Sequence, residues 1–370
     1  MASSRFLFNL LPYRPDAPTG LSRYVNHFLK AWSVATGEAL PQQLRLRVDG
    51  VPQLAADAHL PQEQRSRRMR WLQANSLVQH AVPTGKLVAQ ADPAVIYSPY
   101  TDRLLGVRDR PQVITCHDLT PLYFPSSRRA FWRSRLWLPR HLNGATRVIA
   151  ISCHVADLLV EEGLSAQRII VIPNGVEVVV DPIHAPATRD VLLLARHARN
   201  KNIPLALRGF AQLLALEPQW EGNLVIVGGR GRVTAQLLQL ERSLDLIGRV
   251  QWLPHLSEED LERQLRSSFC LISTSLMEGF DYPLLEAQAR GLPTLASRIP
   301  VHEELHKDAA CQFDLDDEGV SLAVQIQRLA RDSCLWKHLS QAGLINAQQF
   351  TLQQQTSSIH QLLSSLCLNR

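Results

Sequence analysis

The sequence predicts an α/β protein built from two doubly wound domains in tandem, each a parallel sheet crossed by helices. Three observations carry that expectation. Short β-branched runs alternate with longer amphipathic stretches along the whole chain, the pattern of strands joined by crossover helices. The chain has 370 residues, more than one ordinary domain of about 150 holds. Composition shifts over 179–188, where Asp181, Pro182, Pro186 and Thr188 read as a linker, and a second strand–helix series begins beyond it. The expected domains are 1–182 and 188–345, followed by a helical segment, 346–370.

In the first half, strands are expected over 5–10, 94–97, 113–116, 147–151 and 169–172. A helix over 21–32 follows Thr19 and Gly20, a capping residue and a permissive turn. A second helix, 129–138, is expected to stop before Pro139, which has no N–H to give and crowds the preceding turn. A third covers 153–162. In the second half, strand 191–195 leads to Asn202, Ile203 and Pro204, read as an N-cap and first-turn proline opening a helix to about 216. Strand 224–227 ends at Gly228 and Gly229, and helix 233–244 follows. Strand 250–253, helix 258–266, strand 270–273, helix 283–289 and strand 294–296 continue the alternation. Helix 320–331 and two further helices to about 366 finish the chain.

Composition excludes several classes. With 45% hydrophobic and 20% charged residues, the chain is globular rather than disordered. No apolar run approaches the roughly 18–20 residues of a membrane helix. The opening stretch 6–11 is broken by Asn9, followed by Pro12, and lacks a basic start and a small-residue cleavage site, so no signal peptide is expected. Cys116, Cys153, Cys270, Cys311, Cys334 and Cys367 are far apart and form no C-x-x-C pair, which points to a reducing, cytoplasmic compartment.

Charge is unevenly spread. Residues 1–182 carry 21 basic and 14 acidic side chains, a balance of +7, whereas 183–370 carry 18 and 20, a balance of −2. The excess concentrates in two stretches with aromatic residues. One is Arg65, Arg67, Arg68 and Arg70 with Trp71; the other runs Arg128, Arg129, Phe131, Trp132, Arg133, Arg135, Trp137, Arg140. Arginines interleaved with tryptophan suit the headgroup layer of an anionic membrane, and the same composition would suit RNA. The plain alternative is a solvated helix face with its aromatics turned into the core.

The chemistry concentrates in the second half. Arg196 follows a strand and Lys201 precedes a helix start, so two cations and free backbone N–H groups together suit an anion such as a diphosphate. The run Glu278-Gly279-Phe280-Asp281-Tyr282-Pro283-Leu284-Leu285-Glu286 leads from a strand into a helix and puts two carboxylates on one strand–loop–helix turn. One could accept hydrogen bonds from sugar hydroxyls, the other from a ribose. Other motifs are weaker. His302 and His306 have zinc-protease spacing, but Pro300 and the turn at 307–310 confine them to a short surface helix without a third ligand. Asp314, Asp316 and Asp317 read as an acidic turn or helix cap. The glycines at 228, 229 and 231 either approach a nucleotide base or simply permit the turn. His117 next to Asp118 is either a hydrogen-bonded core pair or an active-site group at a strand end.

Several of these motifs, in this order, resemble the retaining glycosyltransferases of the GT-B fold classed as glycosyltransferase family 4. Thr19-Gly20-Leu21-Ser22-Arg23-Tyr24 is similar to the family's glycine loop and first helix. Thr115 to Leu122 resembles its His-Asp-Leu segment, 150–152 its serine-ended strand, and Pro173-Asn174-Gly175-Val176 its turn before the linker. Arg196 through Lys201 resembles its Gly-Arg…Lys-Asn segment, with Ala195 in place of the glycine, and Glu278 and Glu286 form its E-x7-E pair. Asp281 departs from the pattern, where glycine is common; an acid beside phosphates is costly unless it points away.

The resemblance implies two Rossmann-like domains flanking a cleft, with the acceptor on the first, the nucleotide sugar on the second, and the final helix returning to the first. It implies that His117 lies at the reacting sugar, that Gly20 belongs to the acceptor loop, and that Arg196, Lys201, Gly279 and Phe280 serve the donor diphosphate. Glu278 would contact the transferred sugar and Glu286 the ribose. The reaction implied is transfer of a hexose, with retention and without a metal or cofactor, from a GDP- or UDP-sugar to a glycan or lipid-linked acceptor. The pairing of His-Asp-Leu-x-Pro-Leu with Gly-x-x-Arg-Tyr resembles bacterial mannosyltransferases, which favours GDP-mannose, surface-polysaccharide or lipopolysaccharide assembly, and a peripheral enzyme on the cytoplasmic face of the membrane. No nucleic-acid partner is expected. A nucleotide-sugar epimerase or hydrolase on the same scaffold, or a non-catalytic nucleotide-sugar binder, are the alternatives.

Overall fold

The computed structural model describes residues 5–14, 20–47, 50–55, 83–179 and 181–368. Thr19 and the stretch containing Arg65, Arg67, Arg68, Arg70 and Trp71 lie outside the described residues. The chain divides into two compact units, one made of residues 1–175 with 352–370, the other of 176–351.

The first unit contains strands β1 (Phe6–Asn9), β2 (Gln42–Leu46), β3 (Pro52–Ala55), β4 (Val95–Ser98), β5 (Gln112–Cys116), β6 (Arg147–Ala150) and β7 (Ile169–Val171). Among the described residues they form one sheet in the order β3-β2-β1-β4-β5-β6-β7, parallel except for β3, which pairs antiparallel with β2. Helix Gly20–Thr36 buries Tyr24, Val25, Phe28, Leu29 and Trp32, one stripe at helical spacing. Its aromatics meet the sheet, with Phe8 5.0 Å from Trp32 and 5.3 Å from Phe28. Such side chains each contribute roughly 1.5–3 kcal/mol when fully buried. The last helix, Leu352–Leu368, packs on the same helix: Ser357 Oγ donates to Ala35 O at 3.2 Å, and His360 stacks edge-on with Trp32.

The second unit contains β8 (Val191–Leu194), β9 (Leu224–Val227), β10 (Val250–Leu253), β11 (Cys270–Ser273), β12 (Thr294–Ser297) and β13 (Ala310–Phe313). Their order is β10-β9-β8-β11-β12-β13, all parallel. Strands β9, β11 and β12 are buried along their whole length, as strands covered by helices on both faces must be. The chain runs outward in one direction from β8 and in the other from β11, so the strand order reverses between these two neighbours, the switch point at whose carboxyl-end crevice open α/β sheets bind ligands.

Three local expectations are corrected. The helix expected to stop before Pro139 runs Arg128–Gly144 straight through it. Ser127 caps its start, and Pro139 lies on an exposed face, where it removes one N–H from the helical ladder. Asn202 occupies the N-cap position of helix Ile203–Leu216 but has φ 45° and makes no side-chain cap bond. Helix Pro300–His306 exists, yet His302 and His306 are buried rather than on the surface.

Candidate functional site

The crevice between β8 and β11 gathers the cations and carboxylates read from the sequence. Arg196 stands exposed just past β8. Lys201 ends a 3-10 turn, Arg199–Lys201, and bends back toward the loop after β11. Its Nζ donates to Glu278 Oε1 at 2.6 Å, with the two side chains 17% and 13% exposed. Lys201 is thus half of a partly buried ion pair rather than a free cation at the helix start. Ser275 Oγ donates to the same Glu278 oxygen at 2.7 Å, Thr274 Oγ1 donates to Lys201 O at 2.9 Å, and Leu276 N donates to Asn200 O at 2.7 Å. The two loops are thus tied together by side chains and backbone alike.

Asp281 supplies a second carboxylate, and it points away from that pair. Its Oδ2 accepts from Ser273 Oγ at 2.5 Å and from His302 Nε2 at 3.0 Å. Burial pushes Asp281 upward, but the His302 hydrogen bond and charge, the Lys201 charge and Ser273 hold it below the usual carboxylate range. Glu278 goes the other way. Burial raises it, Lys201 pulls it down, and the Asp281 charge helps leave it above its ordinary value. Burial works against the Lys201 charge, but Glu278 and Asp281 outweigh burial and raise it. Arg196 is close enough for its charge to oppose that of Lys201. Two carboxylates pushed apart beside two cations are a common sign of a functional site.

The other expected donor residues divide. Gly279 is buried in the loop. Phe280 is buried against Tyr282 at 5.5 Å and Phe350 at 5.9 Å, so its ring serves packing. Glu286 is 7% exposed on helix Tyr282–Gln288. At the glycine turn, a Cβ on Gly228 would overlap Ala195 O and one on Gly231 would overlap His197 O. The glycines let the end of β9 press against the end of β8. Asp317 caps helix Val320–Arg331, accepting from Ser321 N at 2.7 Å, while Asp314 pairs with Arg298.

In the first unit, His117 follows β5 and its Nε2 faces Pro99 O at 3.0 Å. The ring therefore carries its proton on Nε2 and presents Nδ1 as an acceptor. Burial lowers its pKa, which keeps the imidazole neutral. Tyr24 stacks edge-on against it at 4.5 Å, and its hydroxyl joins a buried chain through Tyr97 to Thr115, with both O···O distances 2.9 Å. Gly20 opens helix Gly20–Thr36, and a Cβ there would meet nothing within 4 Å.

Sequence reasoning missed the Asp281–His302 pair, the Ser273–Ser275 run and the Tyr24 contact. The serines were detectable as a hydroxyl run at a strand end. The pair was not, since it exists only because β11 and β12 are neighbours.

Residues 183–344 match the family model described as glycosyl transferases group 1, and residues 47–179 match that of glycosyltransferase family 4. The chain belongs to these glycosyltransferases. Its curated relatives include the O-antigen chain mannosyltransferase RfbU of Salmonella typhimurium, 29% identical over 56% of this chain and 58% of that one. They also include an O-antigen chain mannosyltransferase B of Escherichia coli, 31% identical over 44% of this chain and 43% of that one. The match thus spans about half of each relative's length. Among solved structures, the Anabaena HepE complex with UDP and glucose superposes with a TM-score of 0.71 at 19% identity, covering 98% of this chain and 100% of that one. Sucrose-phosphate synthase of Thermosynechococcus elongatus gives a TM-score of 0.75 at 18% identity and 99% of each chain. The fold of this glycosyltransferase is GT-B. Among the described residues no helix is long and apolar enough to cross a membrane.

Proposed function

We propose that this glycosyltransferase moves mannose from GDP-mannose to a glycan or lipid-linked acceptor, with retention and without a metal, in surface-polysaccharide assembly. The observation that carries the reading is the Arg196, Lys201 and Glu278 cluster at the β8/β11 crevice. The O-antigen mannosyltransferases among its relatives support the sugar and the pathway class. The UDP bound to HepE supports a nucleotide-diphosphate donor, with UDP-hexoses as the competing choice.

The chemistry follows from these side chains. As the bond between sugar C1 and the phosphate oxygen breaks, negative charge builds on the leaving diphosphate. Arg196 and Lys201 are there to stabilise it, and a preorganised charge contact of this kind is worth roughly 2–4 kcal/mol. Two cations already oppose the phosphates, so no divalent ion is needed to neutralise them. The acceptor oxygen bonds C1 on the same face, and its proton passes to the departing phosphate. Glu278 serves the sugar hydroxyls and the positive charge growing at C1, Glu286 the ribose, and neutral His117 offers Nδ1 to a sugar hydroxyl.

Helix Arg128–Gly144 is the proposed contact with an anionic cytoplasmic leaflet. Trp132 is 60% and Leu136 55% exposed, among the exposed arginines 128, 129 and 133. For Trp132 the solvated-face alternative, with its ring in the core, does not apply.

A thermal-shift panel of GDP- and UDP-sugars tests the donor, since a ligand bound only by the folded state raises the melting temperature. GDP-mannose should give the largest shift. No shift with any nucleotide sugar would remove the reading.

A further inference from the structure

The loop from β11 to helix Tyr282–Gln288 is anchored from behind by a pair that the donor chemistry does not use. Asp281 holds φ 63° without being glycine, a conformation that costs an ordinary side chain energy and persists only where surroundings enforce it. It sits at the N-cap position of that helix but makes no side-chain cap bond. Its carboxylate is spent on His302 and Ser273. The side chains of Asp281 and His302 are 2% and 0% exposed, so water does not share the load.

The imidazole is fully committed. Nδ1 lies 2.8 Å from Ser297 O, and Nε2 lies 3.0 Å from Asp281 Oδ2. Ser297 Oγ gives its own proton to Ser275 O at 2.6 Å. The ring therefore donates at both nitrogens and complements the carboxylate. From this pair two short routes reach the donor cluster. One runs through Asp281 along the loop to Glu278. The other runs from Ser297 to Ser275, whose hydroxyl donates to Glu278 Oε1, which binds Lys201.

We propose that Asp281 and His302 form a buried clamp in which His302 holds the carboxylate from behind and turns an otherwise repulsive charge away from the diphosphate. They are positioning residues and touch no substrate. The proposal rests on the donor reading above. It explains how this chain tolerates aspartate beside a diphosphate site: His302 draws the charge backward and offsets it. Removing His302 leaves a buried, uncompensated anion free to swing toward the phosphates, which is far worse than removing both partners.

A double-variant cycle tests the clamp, with GDP and UDP binding measured by calorimetry and melting temperature recorded on the same proteins. The proteins are wild type, D281G, H302Q and D281G/H302Q. Glycine suits φ 63°, so D281G should bind within about threefold of wild type. H302Q should bind at least about tenfold more weakly, and D281G/H302Q should recover to within about threefold of D281G. If H302Q does not fold, D281N/H302Q is compared with D281N, and the two should agree within about threefold. A double variant as weak as H302Q, an H302Q that binds like wild type, or a more than about tenfold loss between D281N and D281N/H302Q would overturn the clamp. If wild type binds neither nucleotide, the donor reading fails, while the clamp still stands or falls on whether D281G recovers the melting temperature lost in H302Q.

Discussion

Lys201 Nζ lies 2.6 Å from Glu278 Oε1, while Arg196, the other cation of the crevice, makes no ion pair among the described residues. The two cations should therefore fail differently when removed. Arg196→Ala should raise the barrier to turnover by roughly 2–4 kcal/mol and leave stability nearly unchanged. Lys201→Ala should cost turnover similarly and stability by roughly 1–3 kcal/mol as well, because Glu278 loses its partner. Adding Glu278→Gln should recover that stability and not the activity. Denaturant melts and initial rates on the three proteins separate the effects.

Acid should weaken the second unit through His306. Burial, with the His302 charge, holds this histidine down at about 3 against an ordinary 6.5. A depressed histidine stays neutral in the folded state while the unfolded chain takes up the proton. Its contribution is full above pH 6.5 and is lost as pH falls toward 3. Stability should decline by up to about 1.4 kcal/mol per pH unit in that window from this residue. The slope of urea-unfolding free energy against pH should flatten in H306Q, and an unchanged slope would assign the acid sensitivity elsewhere.

Turnover should persist in excess chelator. Asp317 is occupied by the helix cap and Asp314 by Arg298, so the acidic turn has its own structural work. Loss of activity with EDTA, restored by magnesium or manganese, would mean that the two cations do not suffice for the diphosphate.

Binding to vesicles should require anionic lipid and fall with salt, each surface arginine adding on the order of 1 kcal/mol. R128E/R129E/R133E and W132A should each reduce co-sedimentation. Arg135 is left out of the set because it pairs with Glu162 at 2.5 Å. Equal recovery on neutral and anionic vesicles would remove the membrane role.

Much of the second unit was legible because buried parallel strands such as 224–227 and 270–273 are continuous apolar runs, and because glycines and prolines punctuate them. The β2–β3 hairpin was not. Its residues Gln43 and Arg45 are polar yet buried, so they read as loop rather than strand. Pro139 misled because it removes a single N–H on an exposed face, a loss that a 17-residue helix capped by Ser127 absorbs. At the site, charged residues on one loop could be grouped by proximity in sequence. The Lys201–Glu278 and Asp281–His302 pairings could not, since each joins segments that follow different strands. The expected surface helix at 300–306 failed for the same reason: its histidines have partners at Asp281 and Gln288 that only strand order brings near.

On this reading the β8/β11 crevice holds a nucleotide-diphosphate sugar through Arg196 and Lys201. Calorimetric titration of GDP-mannose into wild type and R196A tests it most directly, because R196A should stay folded. Saturable binding to wild type, weakened by about thirtyfold or more in R196A, is the predicted result. Equal affinity in the two proteins, or no saturable binding of GDP-mannose or any UDP-hexose to wild type, would contradict it.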